Sequence, residues 1–459
     1  SILKVDAPNA VVVLQGGPST TGYDTDFEPI FRQESNFQYL FGVGEPDFFG
    51  AIDVATGKSM LFAPRLPEAY GTWMGKIQPP AHFCAKYETD EAHYVDELAD
   101  VLERNGCKTV VLLKGLNTDS GNESVPAQFE GVERFAHDLT ALHPAIYEAR
   151  VIKSAKELDL LRHINRVSSE AHVRVMQSVK LGLMEYQMES VFLHHCYFNH
   201  GARHASYTCI CGSGDNASVL HYGHAGAPNN KQIQDGDICL YDMGANYHGY
   251  TSDITCSFPA TGKFTPEQAA VYETVARAQQ VVIAAMAPGV SWPAMHELAE
   301  RTILDGLKKI GIVKGEIEDM MAVYLGAVFM PHGLGHLMGC DTHDVGGYPE
   351  GVVRATRPGL KSLRCGRNLE ENMVLTVEPG IYFINHLLDQ ALANPDQAKF
   401  IDEPTLQRFR GWGGVRLEDD VIVRAVAGAE NMTQCPRTVP DVEAVMGGKT
   451  WAINWPTKA

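Results

Sequence analysis

Five side chains in the second half of the chain have the types and setting that hold hard or borderline divalent cations: Asp242, Asp253, His336, Glu378 and Glu418. Each arises on a strand-like or glycine-rich segment. Asp242 and Asp253 lie in Ile238–Phe258, where two β-rich runs flank a turn-prone centre between Gly244 and Gly249. Folded about Tyr247-His248, a hairpin sets Asp242 directly opposite Asp253, with Cβ atoms about 5 Å apart. Like charges so placed destabilise a sheet unless a cation lies between them. Two aspartates marking strand ends near turns are the plainer alternative. His336 belongs to His332-Gly-Leu-Gly-His336, whose glycines let the backbone approach an ion or substrate closely and whose histidines offer neutral imidazole donors. Glu378 ends the β-rich run Met373–Val377, just before Pro379-Gly380 stops it. Arg416 and Glu418 stand two residues apart in Gly413–Val423, on one face of a strand. Singly, each of these is an ordinary polar residue. Together, four carboxylates and one imidazole suit two divalent cations about 3.5–4 Å apart, as in dinuclear hydrolases, and do not suit a thiolate-type structural zinc site.

These residues need a scaffold, and hydrophobic periodicity outlines one. Ala10–Leu14 is an apolar strand ending at Gly16-Gly17, and Phe48–Phe62 holds two strand-like pieces around Thr56-Gly57. Glu91–Arg104 has helical spacing and leads into the β-rich Thr109–Leu113. This alternation predicts an α/β domain over residues 1–150, with the boundary between His143-Pro144 and Lys156. Residues 151–459 open with a long helix over Ala155–Val179 and read as a doubled unit. One helix ends near Gly182 and the next runs through Met188; 107 residues later the pattern recurs at Gly289 and Met295. Strand-like sequence follows in each half, at Tyr207–Tyr222 and from Ala327–Met330 onward. Two α+β halves leave a cleft between them.

Composition narrows the partners. Of 459 residues, 45% are apolar, enough for large cores, and 38 basic against 56 acidic residues give a net charge of −18. A chain this negative repels phosphate, which argues against nucleic acid and anionic membranes. No apolar run reaches membrane-spanning length, and no charged-then-apolar leader opens the chain, which begins with Ser1. The ten cysteines are scattered, without a CxxC pair, as in a reduced cytoplasmic protein, so the sequons at Asn122, Asn216 and Asn431 are expected to be chance matches.

The order Asp, Asp, His, Glu, Glu and its local motifs resemble the metal-dependent creatinase/aminopeptidase family. The likeness covers nearly the whole chain and is densest at His332–Gly339, His343–Pro349 and Thr376–Phe383. Departures fall in the amino-terminal domain, at Ala245–Thr251 and in the carboxy-terminal tail. The resemblance implies an α+β pita-bread catalytic domain with a pseudo-twofold repeat, preceded by a smaller α/β creatinase-type domain. The activity it implies is hydrolysis of dipeptides ending in proline or hydroxyproline, with two divalent cations, most commonly Mn2+. Asp253 and Glu418 would bridge them, Asp242 would complete one shell, and His336 and Glu378 the other. It further implies Glu378 as proton relay, His343 as oxyanion stabiliser, Arg364 with His221 as a clamp on the substrate carboxylate, and Arg416 as support for the carboxylates. Tyr207 and His332 would line the cleft, and a homodimer would lend Trp73 to the neighbouring subunit's site. A related aminopeptidase acting on longer chains and a metal-free peptide-binding scaffold are the alternatives.

Overall fold

Period-two geometry sends Val11 and Val13 of the strand Ala10–Gln15 (β1) to one face and Val12 and Leu14 to the other, and all four are buried. A strand apolar on both faces belongs inside a sheet. In the computed structural model, which describes residues 5, 7, 9–425 and 428–455, β1 pairs antiparallel with β2 (Phe49–Asp53) and parallel with Thr109–Leu112. With β3 (Ser59–Ala63), β4 (Glu91–Tyr94), β5 (Thr109–Leu112) and β6 (Ala136–Asp138), they form a mixed sheet ordered β4-β3-β2-β1-β5-β6. Leu98, Val101 and Leu102 of the helix Leu98–Arg104 cover one face; Phe37, Phe41, Leu142 and Ile146 cover the other. The helix expected over Glu91–Arg104 is therefore only half helix. Its first four residues pair parallel with β3, and the Glu97 carboxylate accepts the Tyr94 N–H at 3.0 Å, starting the turn there.

The chain divides into two compact units, Ser1–Arg150 and Val151–Ala459; residues 1–4 and 456–459 at its ends lie outside the described residues. In the second unit a helix pair occurs twice. Ala155–Ser178 and Pro266–Ala285 each begin with a capping box, Ser154 with Glu157 and Thr265 with Gln268, and each packs on its successor, Glu185–His200 or Trp292–Ile310. The links turn on Gly182 and Gly289, at φ 88° and 89°. Beyond each turn the same two backbone bonds form. Gly182 N donates to Ile233 O (2.9 Å) and Ile233 N to Leu183 O (2.8 Å); Gly289 N donates to Leu369 O (2.7 Å) and Leu369 N to Val290 O (2.8 Å). Met188 and Met295 are both buried.

The first half adds strands β7 (His204–Ala205), β8 (Ile210–Ser213), β9 (Ile238–Asp242), β10 (Ala245–Tyr247), β11 (Tyr250–Thr251) and β12 (Thr255–Pro259); the second adds β13 (Val374–Val377), β14 (Gly380–Tyr382), β15 (Gly414–Arg416), β16 (Asp419–Ile422) and β17 (Glu430–Asn431). They form short sheets ordered β12-β9-β8, β11-β10-β7, β13-β16-β17 and β14-β15. Three expectations change here. The hairpin turns at His248-Gly249, both at positive φ (48° and 85°), so Asp242 pairs with Thr255 rather than Asp253. A type I′ turn wants glycine in its loop, which Tyr247-His248 lacks. The shift preserves parity, so both aspartates keep the same face. Ala327–Met330, read as strand-like, falls mostly in a short helix, Gly326–Phe329, against Trp292–Ile310. Arg416 and Glu418 do not share one strand: Glu418 falls between β15 and β16, where it bridges to Thr255.

The His332–His336 loop is stitched to β13. Thr376 N donates to His336 O (3.0 Å) and Glu378 N to Leu334 O (2.8 Å), while the Trp292 indole donates to Gly335 O (3.0 Å). A Cβ on Gly335 would stand 2.0 Å from Thr376 O. Gly335→Ala should therefore destabilise the fold by about 1–3 kcal/mol and displace His336. Gly44→Ala, with its nearest neighbour 3.8 Å away, should change little. Urea unfolding of the two variants checks the contrast, and equal midpoints would contradict it.

Candidate active site

Strand ends deliver the acidic residues. Asp242 closes β9, Asp253 sits in the break between β11 and β12, Glu378 follows β13, and Glu418 separates β15 from β16. They line one cleft of ≈ 240 Å³ with His221, His332, His336, His343, Arg364 and Arg416. Asp253, His336 and Glu418 each bring a donor atom within 4.8 Å of the others. His336 Nε2 lies 3.4 Å from Asp253 Oδ2 and 3.6 Å from Glu378 Oε1. Its Nδ1 lies 3.0 Å from Leu337 O, a carbonyl that only accepts, so Nδ1 carries a proton and Nε2 is the nitrogen turned toward the carboxylates. That tautomer is the one a metal-binding imidazole needs.

Nearby side chains hold each acid in place, and several were not singled out in the sequence. Thr255 Oγ1 donates to Glu418 Oε2 (2.6 Å), Asp420 Oδ2 accepts the Asp253 N–H (2.9 Å), and Thr376 Oγ1 lies 3.4 Å from Glu378 Oε1. Each lies two residues from an acid, at 253/255, 376/378 and 418/420, the same-face spacing that was the available signal. Arg416 ties the set together. Its Nη2 donates to Asp242, its Nε to Thr255 Oγ1 (3.0 Å), and its Nη1 to the Tyr382 hydroxyl (2.8 Å). Tyr207 donates to the other Asp242 oxygen. Tyr382 also meets His332 Nε2 at 3.0 Å; no spacing pattern in the sequence pointed to it.

The electrostatics are those of acids crowded together. Burial, then mutual repulsion, pushes Asp242 up to about 6 and Glu378 up to about 7, although Arg416 opposes both and His336 opposes the second. Glu418 is driven well above the carboxylate range by burial and then by Asp253 and Glu378. Burial also works against ionised Asp253, but His336 outweighs it and Asp253 is lowered; His336 is raised in turn by Asp253 and Glu378 despite its own burial. His332 and His343 are pressed down to about 3, chiefly by burial, and so stand neutral. The His343 ring meets that of His336 edge-on at 4.5 Å. His221 is lowered by burial and by Arg416 and Arg364. Trp73 is 85% exposed on the Gly71–Met74 turn of the first unit. A buried oxygen-rich set with one imidazole fits divalent cations, which would relieve the repulsion that burial creates.

Residues 159–425 match metallopeptidase family M24, and residues 2–112 match the aminopeptidase P N-terminal domain. The Xaa-Pro dipeptidases of Rattus norvegicus and Homo sapiens are 58% and 57% identical to this chain over 439 residues, spanning 96% of it and 89% of each relative. Aminopeptidase PepP from Pseudomonas aeruginosa superposes with a TM-score of 0.77 at 31% identity, covering 96% of this chain and 95% of that one. Aminopeptidase P from E. coli with the inhibitor Pro-Leu superposes at 0.78 and 29% identity, covering 97% and 96%. The α+β fold of this chain is theirs: a pita-bread unit preceded by an aminopeptidase P-type N-terminal domain.

Proton linkage gives the site a measurable signature. Asp242 and Glu378, raised to about 6 and about 7, hold protons in the folded chain that an unfolded carboxyl releases near pH 4. The metal-free site therefore loses stability as pH rises through about 4 to 7, where the folded state binds more protons than the unfolded. A cation needs those protons gone. The rise in melting temperature produced by a divalent cation should accordingly grow between about pH 5 and pH 7.5. Calorimetry at both pH values tests this, and equal increments would refute it.

Proposed function

This chain belongs to metallopeptidase family M24, and from that premise we propose that it is a dipeptidase cleaving the bond before a carboxy-terminal proline or hydroxyproline. The observation that carries the reading is the company Arg364 keeps. It lines, with His221, the same ≈ 240 Å³ cleft as the five candidate ligands, a space at the small end of ligand sites that suits two residues rather than a long chain.

Asp253 and Glu418 would bridge two cations, Asp242 would complete one coordination shell, and His336 and Glu378 the other. The pair we favour is Mn2+, since carboxylate donors suit hard ions. When bound, the cations supply Lewis acidity for the scissile carbonyl and lower the pKa of the attacking water. Glu378 would take the attacking water's proton and hand it to the departing proline nitrogen. His343, held neutral, donates an N–H to the oxygen that gathers charge. Arg364 and His221 hold the free carboxylate, so the distance from clamp to acids sets substrate length. Arg416, bonded to Asp242 and Tyr382, keeps the carboxylates in register, His332 lines the cleft, and Tyr207 reaches it through its hydrogen bond to Asp242. The solved relatives named aminopeptidase P support a second reading, cleavage of Xaa-Pro from longer peptides.

Proline release from Gly-Pro, with and without added Mn2+, tests the reading, and Gly-Pro-Gly separates the two activities. Arg364→Ala should retain its metal yet lose roughly 30- to several-thousand-fold in kcat/KM on Gly-Pro, the consequence of about 2–5 kcal/mol for a broken charged pair. Wild type should discriminate against Gly-Pro-amide and the variant should not. Unchanged preference in the variant would place the clamp elsewhere.

The ten thiols, nine of them buried, suit the reducing cytoplasm we assign the protein. Among the described residues no helix is long and apolar enough to cross a membrane. We further infer a homodimer, with the first unit at the interface, where Trp73 and Met74 are 85% and 59% exposed. Sedimentation should give twice the 50.3 kDa chain mass at assay concentration. A fully active 50.3 kDa monomer would contradict the dimer.

A further inference from the structure

The helices Ala155–Ser178 and Glu185–His200 pack on each other, and where Glu170 of the first meets the last two turns of the second, a separate donor set assembles. None of its residues lines the cleft of the catalytic acids. His195 Nε2 and His200 Nε2 converge on a single oxygen, Glu170 Oε2, at 3.5 and 3.0 Å. All three donor atoms lie within 4.8 Å of one another. The other Glu170 oxygen accepts the indole N–H of Trp455, whose ring stacks on His200 at 5.3 Å. An indole only donates, so it fixes the carboxylate and leaves Oε2 facing the two rings.

Hydrogen bonds from two histidines to one carboxylate are the competing account, and a third ring, His163, lies beside them. That ring lies two turns before Glu170 on the same face of the helix, 6.5 Å from His200 and 5.5 Å from Trp455, and its Nε2 is buried with no hydrogen-bond partner among the described residues. The side chains of Glu170, His195 and His200 are 25%, 20% and 17% exposed, sheltered yet reachable by an ion. Asn199 meets His195 Nδ1 at 3.2 Å. The same Asn199 Nδ2 donates to His195 O at 3.1 Å, which fixes the amide's orientation.

We propose that Glu170, His195 and His200 form a second metal site, selective for a borderline transition ion of the zinc class and separate from the catalytic acids. Two imidazoles and one carboxylate are a zinc donor set, whereas four carboxylates with one imidazole favour harder ions, so the two sites divide metals by softness. The ion joins both helices and, through Glu170, the segment that carries Trp455.

The test loads full-length protein with Mn2+ and then equilibrates it with Zn2+. Wild type should take up one zinc per chain more than the His195→Ala/His200→Ala double variant, with Gly-Pro turnover before zinc addition equal in the two. Glu170→Gln, which keeps the shape, should weaken that extra zinc by about tenfold or more. Zinc-edge anomalous diffraction from wild-type crystals should place an ion between Glu170 and the two rings. Equal zinc counts in wild type and the double variant, or anomalous density at the catalytic acids alone, would overturn the proposal.

Discussion

Mutual repulsion among buried carboxylates is the constraint on which the second unit turns. Asp242, Asp253, Glu378 and Glu418 face one small cleft with Asp420 behind them, and three of the four are raised above the usual carboxylate range. Such a cluster persists only if packing elsewhere holds it. The Arg416 guanidinium supplies one counter-charge, and the threonine hydroxyls and backbone amides supply the donors that ionised oxygens require. Cations would remove the remaining strain, so the apo fold is poised to bind them.

The same constraint explains the placement on strand ends. A residue in the middle of a ladder has its orientation fixed by pairing, and its neighbours crowd it. At a strand end the side chain can turn inward while the strand behind stays rigid. Gly335 extends the principle to the loop: without a side chain it lets His336 lie against β13, where Thr376 and the Trp292 indole lock it.

Much of this was legible because local chemistry and global fold agree. The apolar run of β1, the long helix from Ala155 and the repeated glycine turns at Gly182 and Gly289 were readable from periodicity and spacing, and the five candidate ligands from residue type and local setting. What sequence did not reveal depended on partners distant in the chain. Glu91–Tyr94 is a strand because β3 lies beside it, and the hairpin register follows the positive φ at His248-Gly249. Tyr382 enters the site through Arg416, 34 residues away, with no pattern to announce it. Glu170 meets His195 and His200 only after two helices pack.

The repeated halves carry a consequence for quality control in the cell. Asp242 and Asp253 come from the first helix–sheet repeat, and His336, Glu378 and Glu418 from the second; the strand bridge Thr255–Glu418 is where the two meet. Neither repeat alone owns a complete ligand set. If these five residues hold the ions, a nascent, clipped or half-folded chain would lack the means to capture them, and metal retention would report that both halves have docked. The centre would then serve as an inspection point for its own assembly, with peptide cleavage waiting until folding has finished.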